Sequence, residues 1–115
     1  GDHVIFAFVP SCRHCVPCSS GRAALCENGA RANGAGTLLG GARRFRSRQG
    51  DPLHHHLGVS AFSQFTVAAQ ESLVKIDPQV PLQVAALFGC AVMTGVGAVM
   101  NTARVEAGAS VAVFG

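Results

Sequence analysis

The sequence lacks three features that mark large classes of protein. Its longest apolar stretch, residues 84–100, is shorter than the roughly 20 residues that a membrane-spanning helix needs, and Asn101 and Arg104 follow it closely. No positively charged segment precedes an apolar run and a cleavage site, so no secretory signal is visible. There is also no internal repeat or low-complexity linker. We therefore expect no contact with a membrane and a buried pair of helices in the apolar stretch.

Charged residues are scarce. They make up 13% of the 115 residues, against 49% hydrophobic residues, which excludes a disordered tail and allows one domain with a core. The chain begins at Gly1 without a methionine, enters an apolar strand pattern at once, and finishes on a second such pattern from Val111 to Gly115. We expect both ends to have been cut from a larger protein.

Cysteine is concentrated in one short region. Four of the five cysteines follow the spacing Cys12-x2-Cys15-x2-Cys18-x7-Cys26, and Cys90 stands alone. Disulfides between such close neighbours would close very small loops, which gives little stabilisation and risks strained geometry. Four thiolates around one cation form the tetrahedral shell that zinc prefers. The spacing therefore predicts a zinc lobe over residues 12–26, and clustered metal-type thiols without a signal favour a reducing cytoplasm.

An iron–sulfur cluster, disulfides and plain buried thiols remain as alternatives for these cysteines. The iron–sulfur cluster fits less well than zinc, because the bacterial ferredoxin motif places its fourth cysteine after three residues and follows it with proline. Here seven residues intervene and Glu27 follows. The spacing thus favours zinc without excluding the alternatives.

A basic run is the main concentration of charge. Four of the nine basic residues lie in Arg43-Arg44-Phe45-Arg46-Ser47-Arg48, and glycine-rich turns bracket them. Arginines with an aromatic residue are compatible with nucleic-acid binding. No second basic stripe extends the charge, so we expect a solvated loop and no nucleic-acid partner.

The pattern of apolar residues and turn formers predicts the secondary structure of a mostly β body followed by helices. We expect an irregular connection over residues 26–52, because the segment is rich in Gly, Ala and Arg without periodicity. The predicted strands are residues 3–9, 61–68, 73–76 and 110–114, and the predicted helices are residues 81–89 and 92–104.

Several motifs in order give the sequence a resemblance to a known family. They are Gly1-Asp2-His3-Val4-Ile5, the four-cysteine lobe, the segment from His54 to Phe65, Val74-Lys75-Ile76, and Gly89-Cys90 with Thr94-Gly95. The chain resembles an internal slice of the zinc-containing medium-chain alcohol dehydrogenases. The resemblance covers nearly all of the chain except the Arg-rich loop at 27–51.

The resemblance implies the architecture of an α+β fragment. Residues 1–90 would be part of a mainly β, GroES-like catalytic domain with the zinc lobe at 12–26. Residues 91–115 would be a connecting helix and the first strand of a truncated NAD-binding Rossmann domain.

The resemblance also implies metal ligands and cofactors. It assigns Cys12, Cys15, Cys18 and Cys26 to a structural zinc, and Cys90 to the catalytic zinc. The other two protein ligands of the catalytic zinc would precede Gly1. NAD or NADP would accept or donate the hydride, and the substrate would be an alcohol or an aldehyde. The parent enzyme would be a cytoplasmic homo-oligomer.

Four further residues receive roles only through the resemblance. Thr94 matches a threonine near the nicotinamide, although an ordinary helical threonine bonded to its own backbone is the alternative. Gly115 matches the opening glycine of the dinucleotide-binding turn. Phe8 and Leu57 match positions that line the substrate pocket, although apolar residues at such places are often core.

Two other classes of protein remain as alternatives. A small zinc-stabilised module that binds nucleic acid or protein would explain the cysteine lobe, but not Gly89-Cys90 with Thr94-Gly95. A redox protein using the lobe for electron transfer is the third possibility.

Overall fold

The structure, a computed structural model, describes residues 1–115. It contains one small sheet, four short α-helices and additional helical turns. The strands are β1, His3–Phe6, and β2, Leu73–Ile76; the helices are α1, Val16–Ser19, α2, Glu27–Ala35, α3, Leu82–Ala85, and α4, Ala91–Gly97. Single 3-10 turns lie at Ala23–Leu25, Gln70–Ser72 and Ala86–Gly89, and a π turn at Ala98–Thr102 continues α4.

The sheet joins the beginning of the chain to its middle. Strands β1 and β2 pair antiparallel, with His3 opposite Ile76 and Phe6 opposite Leu73. An ion pair of 2.8 Å between Lys75 Nζ and Asp2 Oδ1 lies beside it on the surface. Exposed pairs of this kind contribute at most about 1 kcal/mol, so the backbone ladder is the main link. The predicted strand at 73–76 is confirmed, and the one at 3–9 is shorter than expected.

Helix α2 corrects the expectation of an irregular connection over residues 26–52. The Cys26 side chain caps its first turn by accepting a hydrogen bond from the Gly29 N–H. Gly36 ends it in the left-handed conformation, at φ 63°, which glycine adopts without a steric penalty. The two caps therefore stabilise the helix and set its ends, although Gly29 and Gly34 lower its intrinsic helix propensity.

The expected mostly β body is wrong, because two of the four predicted strands do not form. Residues 61–68 consist of bends and irregular chain, and residues 110–114 have no regular structure. Phe62 and Phe65 are 101% and 89% exposed, and Val113 is 90% exposed. A strand needs a partner for its backbone hydrogen bonds, and neither segment has one.

Two helical segments follow the sheet, as predicted. They are Leu82–Gly89 and Ala91–Thr102, bent by 52° relative to each other. The expectation that they are buried is wrong, since Ala85 is the only residue of the two segments that is buried. No single helix is long and apolar enough to cross a membrane; the bent pair passes that test together, by length and composition alone.

The core is small and lies around α2 and the cysteine lobe. Only 11 of the 115 residues are buried, so much apolar surface stays exposed. The buried apolar side chains are Cys26, Ala32, Leu38, Val59 and Ala85.

Candidate metal centre

Four thiols converge at the start of α2. The Sγ atoms of Cys12, Cys15, Cys18 and Cys26 all lie within 4.8 Å of one another. Cys15 precedes the first turn of α1, Cys18 lies within that helix, and Cys26 caps α2. The 3-10 turn at Ala23–Leu25 reverses the chain between the two helices. The loop at Cys12, helix α1 and the start of α2 therefore bring their thiols to the same place.

Backbone N–H groups surround these sulfurs. Cys26 Sγ accepts hydrogen bonds from the N–H groups of Cys12 and Gly29, both at 3.3 Å. Cys12 Sγ accepts from the Cys15 N–H at 3.4 Å. Ser11 Oγ lies 3.4 Å from Cys18 Sγ. Donors aimed at sulfur favour the thiolate form, which is the form that binds metal.

The hydrogen bonds separate the pKa values of the metal-free thiols. The backbone N–H of His14, helped by the Asn28 amide and the Cys15 N–H, lowers the pKa of Cys12 to about 5 against the effect of burial. The Ser11 hydroxyl likewise lowers the pKa of Cys18. For Cys15 the backbone N–H of Cys18 favours the thiolate, but burial and the neighbouring thiols outweigh it and raise its pKa to about 11.

The donor set fits zinc. All the cysteines are free thiols. With Zn–S bonds of about 2.3 Å, a tetrahedron places its sulfurs roughly 3.8 Å apart. The separation between Cys15 Sγ and Cys26 Sγ is 3.9 Å. Four sulfurs form a closed shell, which leaves no open position for a substrate.

Cys90 and Thr94 lie together, apart from this cluster. Cys90 is exposed and precedes α4, and its Sγ lies 3.8 Å from Thr94 Oγ1 one turn later. Gly89, just before it, faces the carbonyl oxygen of Phe6, which a Cβ at Gly89 would approach to 3.0 Å. Gly89 therefore packs against the end of β1.

The remaining predicted residues are dispersed. Phe8 and Leu57 are 45% and 41% exposed, and Gly115 is exposed at the end of the chain. Asn33 of α2 lies between the segment of Phe8 and that of Leu57. Its Nδ2 donates to the Phe8 carbonyl oxygen at 2.6 Å, and its Oδ1 lies close to Gly58, next to Leu57. No local sequence signal points to Asn33, because its partners are distant in sequence.

The basic run is a loop held by its own arginines. Arg43 Nη2 donates to the Ala35 carbonyl oxygen at 3.0 Å, and Arg46 Nη1 donates to the Gly50 carbonyl oxygen at 3.3 Å. His55 lies under the loop, 2% exposed, and accepts the Arg44 N–H on Nε2 at 3.0 Å. Its ring centroid lies 4.6 Å from that of Phe45.

Comparison with known proteins identifies the relatives. The chain is 47% identical over all 115 residues to "Alcohol dehydrogenase class-3" of Oryza sativa subsp. japonica. It is 44% identical over 115 residues to "S-(hydroxymethyl)glutathione dehydrogenase" of Saccharomyces cerevisiae. The resemblance to the zinc-containing alcohol dehydrogenases is confirmed. It extends over the whole chain, including the Arg-rich loop where no motif was found.

A solved structure gives the same result for the fold. The crystal structure of an alcohol dehydrogenase zinc-binding domain protein from Burkholderia ambifaria matches 96% of the chain with a TM-score of 0.78 and 33% identity. The chain spans about 30% of the length of each of these three proteins. No protein-family model matches the chain.

Proposed function

We propose that the chain is the zinc-lobe segment of an alcohol dehydrogenase that transfers a hydride between an alcohol and NAD or NADP, giving an aldehyde or ketone. The observation that carries this proposal is the 47% identity to class-3 alcohol dehydrogenase over all 115 residues. Because relatives in rice, yeast and Escherichia coli share this similarity, the activity in their names is the best candidate for the parent enzyme. S-(hydroxymethyl)glutathione is accordingly the first alcohol to test.

The proposed domain organisation divides the chain near Cys90. Residues 1–90 would complete part of a GroES-like catalytic domain, and residues 91–115 would lead into a Rossmann domain. The similarity to the Burkholderia ambifaria structure supports a zinc-binding alcohol dehydrogenase domain. In the parent enzyme a neighbouring strand would pair with residues 110–114, which here have no partner.

The proposed role of the four-cysteine lobe is structural. Cys12, Cys15, Cys18 and Cys26 would hold one zinc, which ties α1 and α2 to the loop before them. The free energy of zinc binding would contribute directly to folding, because the unfolded chain does not contain a preformed site. The closed sulfur shell supports this role, since a zinc that takes part in turnover keeps an open position.

The proposed catalytic role belongs to Cys90. When bound, a catalytic zinc supplies Lewis-acid chemistry that lowers the pKa of an alcohol oxygen. Cys90 would be one of its ligands, and its exposed thiol is accessible. Thr94, one helical turn further, would lie beside the nicotinamide, and Gly115 would begin the pyrophosphate-binding turn. Phe8 and Leu57 would line the substrate pocket.

Metal content of the anaerobically purified 115-residue chain tests this proposal. We expect one zinc per chain in the wild type and in Cys90→Ser, and none in Cys12→Ser. The isolated chain should produce no NADH from an alcohol, because it supplies one of the three protein ligands of a catalytic zinc. Bound iron, or oxidised thiols without metal, would contradict the proposal.

The remaining features of the parent enzyme are also proposals. We propose a cytoplasmic homo-oligomer that acts on a small-molecule substrate, without a nucleic-acid or membrane partner. Two of the four loop arginines bond to backbone carbonyl groups, which supports a structural loop. The alternative of a zinc-stabilised binding module has only the cysteine cluster in its favour, which the dehydrogenase proposal explains equally well.

A further inference from the structure

The Asn28 side chain contacts a cysteine of the metal centre and a histidine at once. Asn28 lies in the first turn of α2. Its Nδ2 is 3.2 Å from Cys12 Sγ and 3.3 Å from His14 Nε2. A side-chain amide nitrogen carries two protons. Asn28 can therefore donate one hydrogen bond to the sulfur and the other to the imidazole.

The hydrogen-bond partners of His14 fix its tautomer. His14 Nδ1 lies 2.7 Å from the Cys12 carbonyl oxygen, which can only accept a hydrogen bond. Nδ1 therefore carries the proton of the neutral ring, and Nε2 is left as the acceptor for Asn28. The reverse orientation of the amide would place Oδ1 against the Cys12 thiolate, where two acceptors repel. The network thus has one self-consistent arrangement.

Cys12 also borders an open cavity. A cavity of about 690 Å³ lies against it, lined among others by Cys12, His14, Asn28 and Arg31. None of the other three cysteines of the cluster lines this cavity. A competing ligand in this cavity would therefore meet the metal centre at Cys12, beside Asn28 and His14.

We propose that Asn28 is a positioning residue of the metal centre: its amide, held by His14, fixes the Cys12 thiolate and slows metal exchange through this cavity. The N–H···S bond disperses charge on Cys12 and orients its Sγ toward the other sulfurs. Partners of this kind behind metal ligands typically change metal affinity about 10–100-fold when removed. The inference depends on the zinc site proposed above.

The test is the rate at which the zinc-loaded 115-residue chain transfers its metal to a chromophoric chelator. We expect Asn28→Ala to accelerate the transfer about tenfold or more. Asn28→Asp should accelerate it further, because a carboxylate would face the thiolate. Asn28 is only partly buried and alanine favours helices, so Asn28→Ala should not unfold α2.

A second readout separates positioning from fold stability. In the cobalt(II)-substituted chain, Asn28→Ala should move the thiolate-to-cobalt charge-transfer band to lower energy, because Cys12 Sγ regains electron density. The matched control is Asn33→Ala on the same helix. It removes the hydrogen bond to the Phe8 carbonyl oxygen, but Asn33 contacts no sulfur. It should lower stability and leave the cobalt band unchanged.

The outcomes distinguish this inference from the proposed function. If the wild-type chain binds no zinc, the proposed function fails and this inference fails with it. If the wild type binds zinc, but Asn28→Ala releases it at the wild-type rate with an unchanged cobalt band, only the role of Asn28 is refuted. Faster release from Asn28→Ala with a shifted band, and no band shift in Asn33→Ala, supports the proposal.

Discussion

Gly29 packs directly against the backbone carbonyl oxygen of Pro10. A Cβ at Gly29 would overlap that oxygen and would also crowd Val9 Cγ1, at 3.2 Å. The same residue donates its N–H to Cys26 Sγ at 3.3 Å. Helix α2 can therefore approach the segment before Cys12 only because residue 29 has no side chain. This close approach brings Cys26 to the other thiols.

Gly29→Ala should consequently damage the metal centre from outside its ligand set. The methyl group would push α2 away from Pro10 and weaken the N–H···S bond to Cys26. We expect a loss of about 1–3 kcal/mol in the free energy of unfolding, as is typical of overpacking, and faster zinc loss. Denaturant unfolding and metal transfer to a chelator measure the two effects.

Gly34→Ala is the matched control for that substitution. Gly34 lies in the same helix with no atom within 4 Å of an added Cβ. Alanine there should raise the free energy of unfolding by about 0.5–1 kcal/mol, because it favours the helix. Equal effects of both substitutions would mean that helix propensity, and not contact with Pro10, determines the change in the free energy of unfolding.

Proton release should accompany zinc binding. The pKa of about 11 for Cys15 means that this thiol is protonated at neutral pH in the metal-free chain, whereas Cys12, with a pKa of about 5, is already a thiolate. Zinc must displace at least the Cys15 proton, so zinc affinity should fall by about tenfold or more for each pH unit below neutrality. Competition titrations against a chelator between pH 6 and pH 8 measure this slope. An affinity independent of pH would contradict the proposed ligand set.

The sequence predicted which four cysteines come together but not the helix that presents one of them. The spacing of the four cysteines is local information, and the alternating Leu73–Ile76 segment, ended by Asp77-Pro78, was sufficient to predict β2. Helix α2 was missed, because it depends on the Cys26 cap and on contact with Pro10. The bond from Asn28 to Cys12 joins residues 16 positions apart and exists only once the lobe has closed. The strand predicted at 110–114 failed because pairing requires a neighbour that local pattern cannot supply.

The arginine loop gives a test that separates structure from nucleic-acid binding. Arg43 bonds to the last carbonyl of α2 at Ala35, whereas Arg48 is exposed. Arg43→Ala should therefore cost about 1 kcal/mol in the free energy of unfolding, and Arg48→Ala less than about 0.5 kcal/mol. Replacing Arg43, Arg44, Arg46 and Arg48 together should leave nonspecific DNA binding unchanged in a mobility assay. Salt-sensitive binding that disappears in this variant would revive the binding-module alternative.

Stability should decrease in mild acid through His55. Burial lowers its pKa from the ordinary value of 6.5, so in the folded chain the ring stays neutral at a pH where the unfolded chain already binds a proton. Stability rises with pH wherever the unfolded state holds more protons. The contribution of neutral His55 is therefore complete above about pH 6.5 and is lost as the pH falls below that value.

His55→Phe tests this dependence, because it keeps an aromatic ring beside Phe45 but cannot titrate. It leaves the Arg44 N–H without its acceptor, so at pH 7.5 it should cost about 1–3 kcal/mol in the free energy of unfolding. The difference between wild type and variant should shrink between pH 7 and pH 5.5, because only the wild type is destabilised by protonation at this position. Taking the difference at each pH removes the acid sensitivity of the cysteines, which both chains share. The exposed neighbour His56, replaced by Gln, serves as control, and a constant difference for His55→Phe across this range would show that the buried ring does not govern the acid response.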